Sequence, residues 1–236
     1  KHPAKQQHKR LALYQTLKEE TEIANAYNNI GIIYDEMSDF TRALKFYNEA
    51  YTRYRATGDI EKQAMVSVNL GILFKAQGEY TKVIGYYHDA YAVYRHLNLP
   101  AESAFCEANL GSVYYYTGQY DSCLHYSLLA EKAFNEQRNL QSLPIARANA
   151  GMAYFETDRK QEARSYLQQA LEGHRSYNNR KETAFVLIQL AKVHASEKKY
   201  EEAIRLLEES ASIAESIGAS QQVMDAAKLL SEYYGA

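Results

Sequence analysis

Apolar and small side chains recur along this chain at three- and four-residue intervals: Ile30, Gly31 and Tyr34 form one such run, Ala43, Tyr47 and Ala50 another. That interval puts them on one face of a helix, and no stretch alternates at period two for long enough to make a sheet. The pattern predicts antiparallel helix pairs, the first helix from about residue 22 to about 37 and its partner from about 40 to about 56.

A longer period lies over the short one. "NIGIIYDEMSDF" at Asn29 returns forty residues later as "NLGILFKAQGEY" at Asn69, then as "NLGSVYYYTGQY" at Asn109 and "NAGMAYFETDRK" at Asn149. A fifth copy, "QLAKVHASEKKY", starts at Gln189, and a sixth begins at Leu229. Self-similarity at this spacing is the signature of a stacked array, each unit completing the core of its neighbour.

Gly31, Gly71, Gly111 and Gly151 sit inside first helices, where glycine costs on the order of 1 kcal/mol against alanine. Their fixed register implies close approach of the second helix, with a small residue expected opposite: Ala43, Cys123, Ala163 and Ala203, and Val83 as the departure. Tyr34, Phe74, Tyr114 and Tyr154 should fill the volume beside that contact, and His194 takes their place in the fifth unit as a packing residue. Gly78, Gly118, Ser38 and Asp158 mark the turn within a pair; "TGD" at 57–59, "LNLP" at 97–100 and "SIGA" at 216–219 separate the pairs. Pro100 and Pro144 belong near helix starts.

Composition narrows the function. The 236 residues are 46% apolar and 24% charged, with a formal net charge of -2, as expected of a chain that buries a core. No strongly basic block exists, so nucleic acid is not an expected partner. No run of eighteen apolar residues occurs, and "KHPAKQQHKR" at the start lacks a secretion signal. No membrane contact is expected within the segment. The first residue is lysine, which points to a processed or recombinant fragment. Cys106 and Cys123 lack metal-ligand spacing and read as small buried hydrophobes, with a preference for a reducing compartment. The seven histidines show no His-Glu-x-x-His spacing, and no phosphate loop or nucleophile elbow is present. No cofactor, metal or catalytic residue is expected.

Asn-Leu-Gly-x-x-Tyr, followed by Gly-x-Tyr-x-x-Ala and Tyr-x-x-Ala, resembles the tetratricopeptide repeat over nearly the whole chain. The period is forty rather than ~34, as in the long repeats of kinesin light chains, of Leu-Gly-Asn adaptors and of repeat regions in bacterial sensor kinases and regulators. The resemblance implies an all-α, right-handed solenoid of antiparallel helix pairs, about twelve helices in all. As a single array it would comprise a preceding second helix (1–20), five complete repeats (21–58, 59–98, 99–138, 139–178 and 179–218) and a further first helix (219–236).

In this family the first helices line a concave groove that holds a peptide or an extended protein segment. Spacing gives Asn25, Asn28, Asn29 and Ile32 in the first unit, and Met65, Val68, Asn69, Ile72 and Lys75 in the second. The third supplies Phe105, Asn109, Ser112, Tyr115 and Tyr116, the fourth Ile145, Asn149, Met152 and Phe155. A carboxamide both donates and accepts, so Asn29, Asn69, Asn109 and Asn149 can pair with ligand peptide bonds or equally with neighbouring helices. Tyr115 and Tyr116 follow the core position Tyr114 and are expected at the groove as hot-spot residues or as packing. Lys75 alone does not make a carboxylate clamp. The reading is a non-catalytic protein-binding region, cytoplasmic or, with an upstream signal, extracytoplasmic. It is the docking or sensory part of a larger bacterial signalling protein, or alternatively a free-standing adaptor. Self-association through the terminal helices is a further expectation, since residues 221–234 form no polar cap.

Overall fold

The computed structural model describes residues 3–235. They form twelve helices and no strand: α1 Pro3–Leu17, α2 Glu20–Glu36, α3 Phe40–Thr57, α4 Ile60–Ala76, α5 Tyr80–His96, α6 Pro100–Tyr116, α7 Tyr120–Glu136, α8 Leu143–Glu156, α9 Lys160–Ser176, α10 Arg180–Ser196, α11 Tyr200–Ser216 and α12 Ser220–Tyr233. The fold is all-α, as the three- and four-residue spacing predicts. Residues 1, 2 and 236, the outermost of the expected array and including His2, lie outside the described residues.

The turns have a shorter period than the sequence motif. A residue in the left-handed region recurs every twenty positions from Lys18 to Gly218, with φ between 54° and 76°. Gly58, Gly78, Gly118 and Gly218 adopt it without a side-chain clash, whereas Lys18, Ser38, Asn98, Arg138, Asp158, Asn178 and Lys198 adopt it with a Cβ present. The hydrogen bonds around it are those of a Schellman motif. Ser38 N–H donates to the Asp35 carbonyl at 2.8 Å and Asp39 N–H to the Tyr34 carbonyl at 2.8 Å; the latter bond returns as Gln119 to Tyr114, Arg159 to Tyr154 and Lys199 to His194. Each helix that runs into one of these turns therefore ends on the carbonyl of a residue of its packed face, which couples turn position to core register. Asp39 and Asp59 then cap the next helix, each carboxylate accepting a backbone N–H at 3.1 Å.

The chain divides into two compact units, residues 1–113 and 114–236. In the first, α1 packs on α2, α2 on α3, α3 on α4 and α4 on α5, while α2 also touches α4. In the second, consecutive helices from α7 to α12 pack in the same way, and α8 touches α10, which touches α12. Within each unit a first helix thus meets its own partner, and α2, α8 and α10 also meet the next first helix, contacts of the kind a solenoid makes. Fully buried Ala50, Ala90, Ala130 and Ala170 mark one register position; Ser210 takes it in the fifth repeat, its hydroxyl donating to the Ala184 carbonyl at 2.8 Å.

The glycine contact differs from the expectation of a small residue opposite. A Cβ added to Gly31 would stand 2.6 Å from Tyr47 Cδ1, and one added to Gly151 would stand 2.7 Å from Leu167 Cγ. Gly71 meets the Tyr87 ring in the same way. Ala43, Val83 and Ala163 are buried, but the side chain that occupies the glycine notch lies one turn further along the second helix. The notch exists to seat a large buried side chain. The aromatic side chain at this place also stacks on a ring of the second helix, Tyr34 on Phe46 and Phe74 on Tyr86, with Arg42 over the Tyr34 ring at 4.2 Å and Lys82 over the Phe74 ring at 4.8 Å. Pro100 opens α6 and Pro144 stands in the first turn of α8, its ring against Gly173.

Candidate functional site

The surface left by the core of α2, α4 and the first part of α6 carries the candidates of the first unit. Asn29 is exposed, whereas its neighbour Asn28 is buried. Asn69 is half-buried and donates its Nδ2 to Asn28 Oδ1 at 3.0 Å, so one of its hydrogen-bonding groups ties α4 to α2. Asn25 is likewise engaged, accepting from the Tyr54 hydroxyl at 2.6 Å. Lys75 Nζ donates to Ser112 Oγ at 2.7 Å, fixing α4 to α6. Ile72 and Phe105 are 46% and 43% exposed, and Met65 and Asn109 on the same two helices are half-buried. Asp35 is partly buried; desolvation lifts its carboxyl above the usual range, partly offset by a hydrogen bond from Tyr47.

In the second unit Tyr116 is 46% exposed and meets Tyr115 edge-on at 5.7 Å. Tyr115 is half-buried against the core and donates its hydroxyl to Glu156 Oε1 at 3.1 Å. Burial, with the Glu156 carboxylate beside it, raises the phenol pKa well above its ordinary value. Asn149 is buried, and its backbone carbonyl accepts from Cys123 Sγ at 3.5 Å. Met152 is 3% exposed inside the core cluster, so its role there is packing. Phe155 is half-buried and lines a cavity of about 400 Å³.

That cavity continues past the residues the sequence singled out. Lys192 and Ser196 of α10, Tyr200 at the start of α11, and Leu229 and Tyr233 of α12 share it with Phe155. Lys192 Nζ donates to Gln189 Oε1 at 3.3 Å, and Gln189 stands where the earlier repeats carry asparagine. The forty-residue ruler gives the missed positions, since 152 leads to 192 and then 232, but the loss of asparagine and glycine in the fifth copy hides them. This arrangement can bury apolar side chains and hydrogen-bond a backbone. Among the described residues no group of three or more His, Cys, Asp or Glu could hold a metal ion, and no helix is long and apolar enough to cross a membrane.

Residues 22–96 and 143–216 match the family model of the tetratricopeptide repeat, more than half of the chain. The chain belongs to the tetratricopeptide repeat family. No match is found among the curated proteins. Among solved structures, this tetratricopeptide chain is similar to BtubC (BKLC) from P. vanneervenii, with 15% identity over 91% of each chain and a TM-score of 0.74. It is similar to the Rap conjugation gene regulator of plasmid pLS20 in complex with the Phr* peptide, with 16% identity, a TM-score of 0.77 and coverage of 93% of this chain and 61% of that one. It also resembles a signal transduction ATPase with numerous domains and a tetratricopeptide repeat sensor, PH0952 from Pyrococcus horikoshii, at 19% identity and TM-score 0.72, covering 95% of this chain and 34% of that one. At these identities the likeness is one of fold.

Proposed function

We propose that the chain is a non-catalytic module, a single tetratricopeptide array over residues 1–236, that binds a protein or an extended peptide on the exposed faces of its first helices. The observation that carries this reading is the exposure of Ile72, Phe105 and Tyr116 beside carboxamides on those helices. Large apolar side chains next to hydrogen-bonding groups are the makings of a recognition surface. In the first unit the working set is Asn29, Asn69, Asn109, Ile72, Phe105 and Ser112, with half-buried Met65; in the second it is Tyr115, Tyr116 and Phe155, with Asn149 and Met152 buried. The likeness to a Rap regulator in complex with a peptide supports a peptide ligand, and the likeness to a protein with a repeat sensor supports the sensory or docking part of a larger signalling protein. The alternative reading is a free-standing adaptor or scaffold.

The test is selection of random dodecapeptides on the chain, followed by binding measurements on wild type and on the double variant Ile72→Asp/Phe105→Asp. Peptides bound at micromolar Kd by the wild type and more than about tenfold more weakly by the folded variant support the site. Absence of enrichment, or equal binding by both, removes it.

A further inference from the structure

In four repeats a ring near the end of the first helix packs on a ring near the start of the second. Centroid distances are 5.5 Å for Tyr34 and Phe46, 5.6 Å for Phe74 and Tyr86, 5.5 Å for Tyr114 and Tyr126, and 5.1 Å for Tyr154 and Tyr166. In the first of these a third ring closes the cluster: His8, from the preceding helix, lies 5.6 Å from Phe46 and 6.4 Å from Tyr34. The same three positions in the fifth repeat hold Gln168, His194 and Leu206.

A histidine and a leucine do not fill the volume of the two packed rings found in the other four repeats. A cleft of about 440 Å³ lies there, bordered by these residues over the buried Leu171 and Leu190, with the exposed Arg205 and Glu202 at its edge. Its volume is in the range of small-molecule sites, and it is a groove open to solvent. His194 Nδ1 is shielded from solvent and has no hydrogen-bond partner, an uncommon state for a native polar atom. His194 borders the cleft, and a half turn about its Cβ–Cγ bond exchanges Nδ1 with a ring carbon. Burial, reinforced by Arg164 and Lys199 against the opposing Glu197 and Glu202, lowers the imidazole pKa, leaving a neutral ring with an accepting nitrogen. His194 lies two residues beyond Lys192, about 200° around α10, so this cleft is separate from the surface that carries the proposed peptide site.

We propose that this cleft binds a small phenol: the ring replaces the missing aromatic partner over Leu171, Leu190 and Leu206, and the hydroxyl donates to the imidazole of His194. The site is independent of the peptide reading. The experiment is an NMR titration of the whole chain with p-cresol, with toluene as the ring without a hydroxyl and N-acetyltyrosinamide as the ring on a backbone. Saturable shifts at Gln168, Leu190 and His194, about fivefold weaker binding of toluene, and p-cresol binding at least as tightly as the tyrosinamide are expected. The variant His194→Tyr/Leu206→Tyr restores the ring pair and should lose p-cresol binding while melting no lower than wild type. Should it fail to fold, Leu206→Phe alone fills half the volume and should weaken p-cresol binding. No saturable shift, equal binding of toluene, preference for the tyrosinamide, or unchanged affinity in the filled variant overturns the proposal.

Discussion

The Tyr47 ring occupies the space that any side chain on residue 31 would need, with a Cβ there only 2.6 Å from Tyr47 Cδ1. Tyr47 is 1% exposed and cannot swing aside, so Gly31→Ala should lower the urea midpoint by the equivalent of about 1–3 kcal/mol although alanine is the better helix former. Gly85, exposed on α5 with nothing within 4 Å of an added Cβ, supplies the control. There Gly85→Ala should raise stability by about 1 kcal/mol. Equal effects at the two sites would contradict the notch.

The twenty-residue turn rule places Arg138 and Lys198 in the left-handed region with φ of 55° and 62°. Arg138→Gly and Lys198→Gly should each stabilise by roughly 0.5–1 kcal/mol, since relief of the Cβ clash exceeds the added freedom of the unfolded chain. Gly118→Ala should do the reverse. Melting curves of the three variants are the check.

His174 is 1% exposed with an unpartnered Nδ1, and burial lowers its pKa from 6.5 to about 4. The unfolded chain then binds the proton more tightly than the folded one, so the neutral-histidine contribution is complete above pH 6.5 and is lost as pH falls from 6.5 towards 4. The loss amounts to about 3 kcal/mol. His174→Phe, which places here the residue found at Phe134, should flatten urea-derived stability across that window; an unchanged slope would assign it to other groups.

Cys106 and Cys123 are fully buried, and burial pushes both thiols up to about 12. Neither should react with iodoacetamide at pH 8 in the native chain, and both should react in urea. Rapid native labelling would mean that these helices open readily.

Asn69 and Asn28 share an inter-repeat hydrogen bond at 3.0 Å, whereas Asn29 is exposed. Asn69→Ala should therefore cost about 1 kcal/mol of stability and Asn29→Ala less than about 0.5. Asn29→Ala should weaken peptide binding without loss of stability, and unchanged binding would remove that residue from the proposed recognition surface.

Helix existence, helix boundaries and the positions of Gly78, Gly118, Ser38 and Asp158 at turns were all legible in the chain, because periodicity and turn chemistry act over a few neighbouring residues. The identity of the notch partner was not: Ala43 and Tyr47 lie on one face of the same helix, and only packing decides which of them meets Gly31. For the candidate site, the sequence alone marked Ile72, Phe105 and Tyr116, large apolar residues off the core stripe. It did not separate exposed Asn29 from buried Asn149, two residues at the same place in the motif, since burial depends on how deeply each helix seats against its neighbours. What the sequence determined by itself was the array, through short-range pattern repeated at fixed intervals. What only the tertiary structure decided was which members of an identical pattern are spent on packing and which face outward, because burial depends on neighbours far apart in the chain.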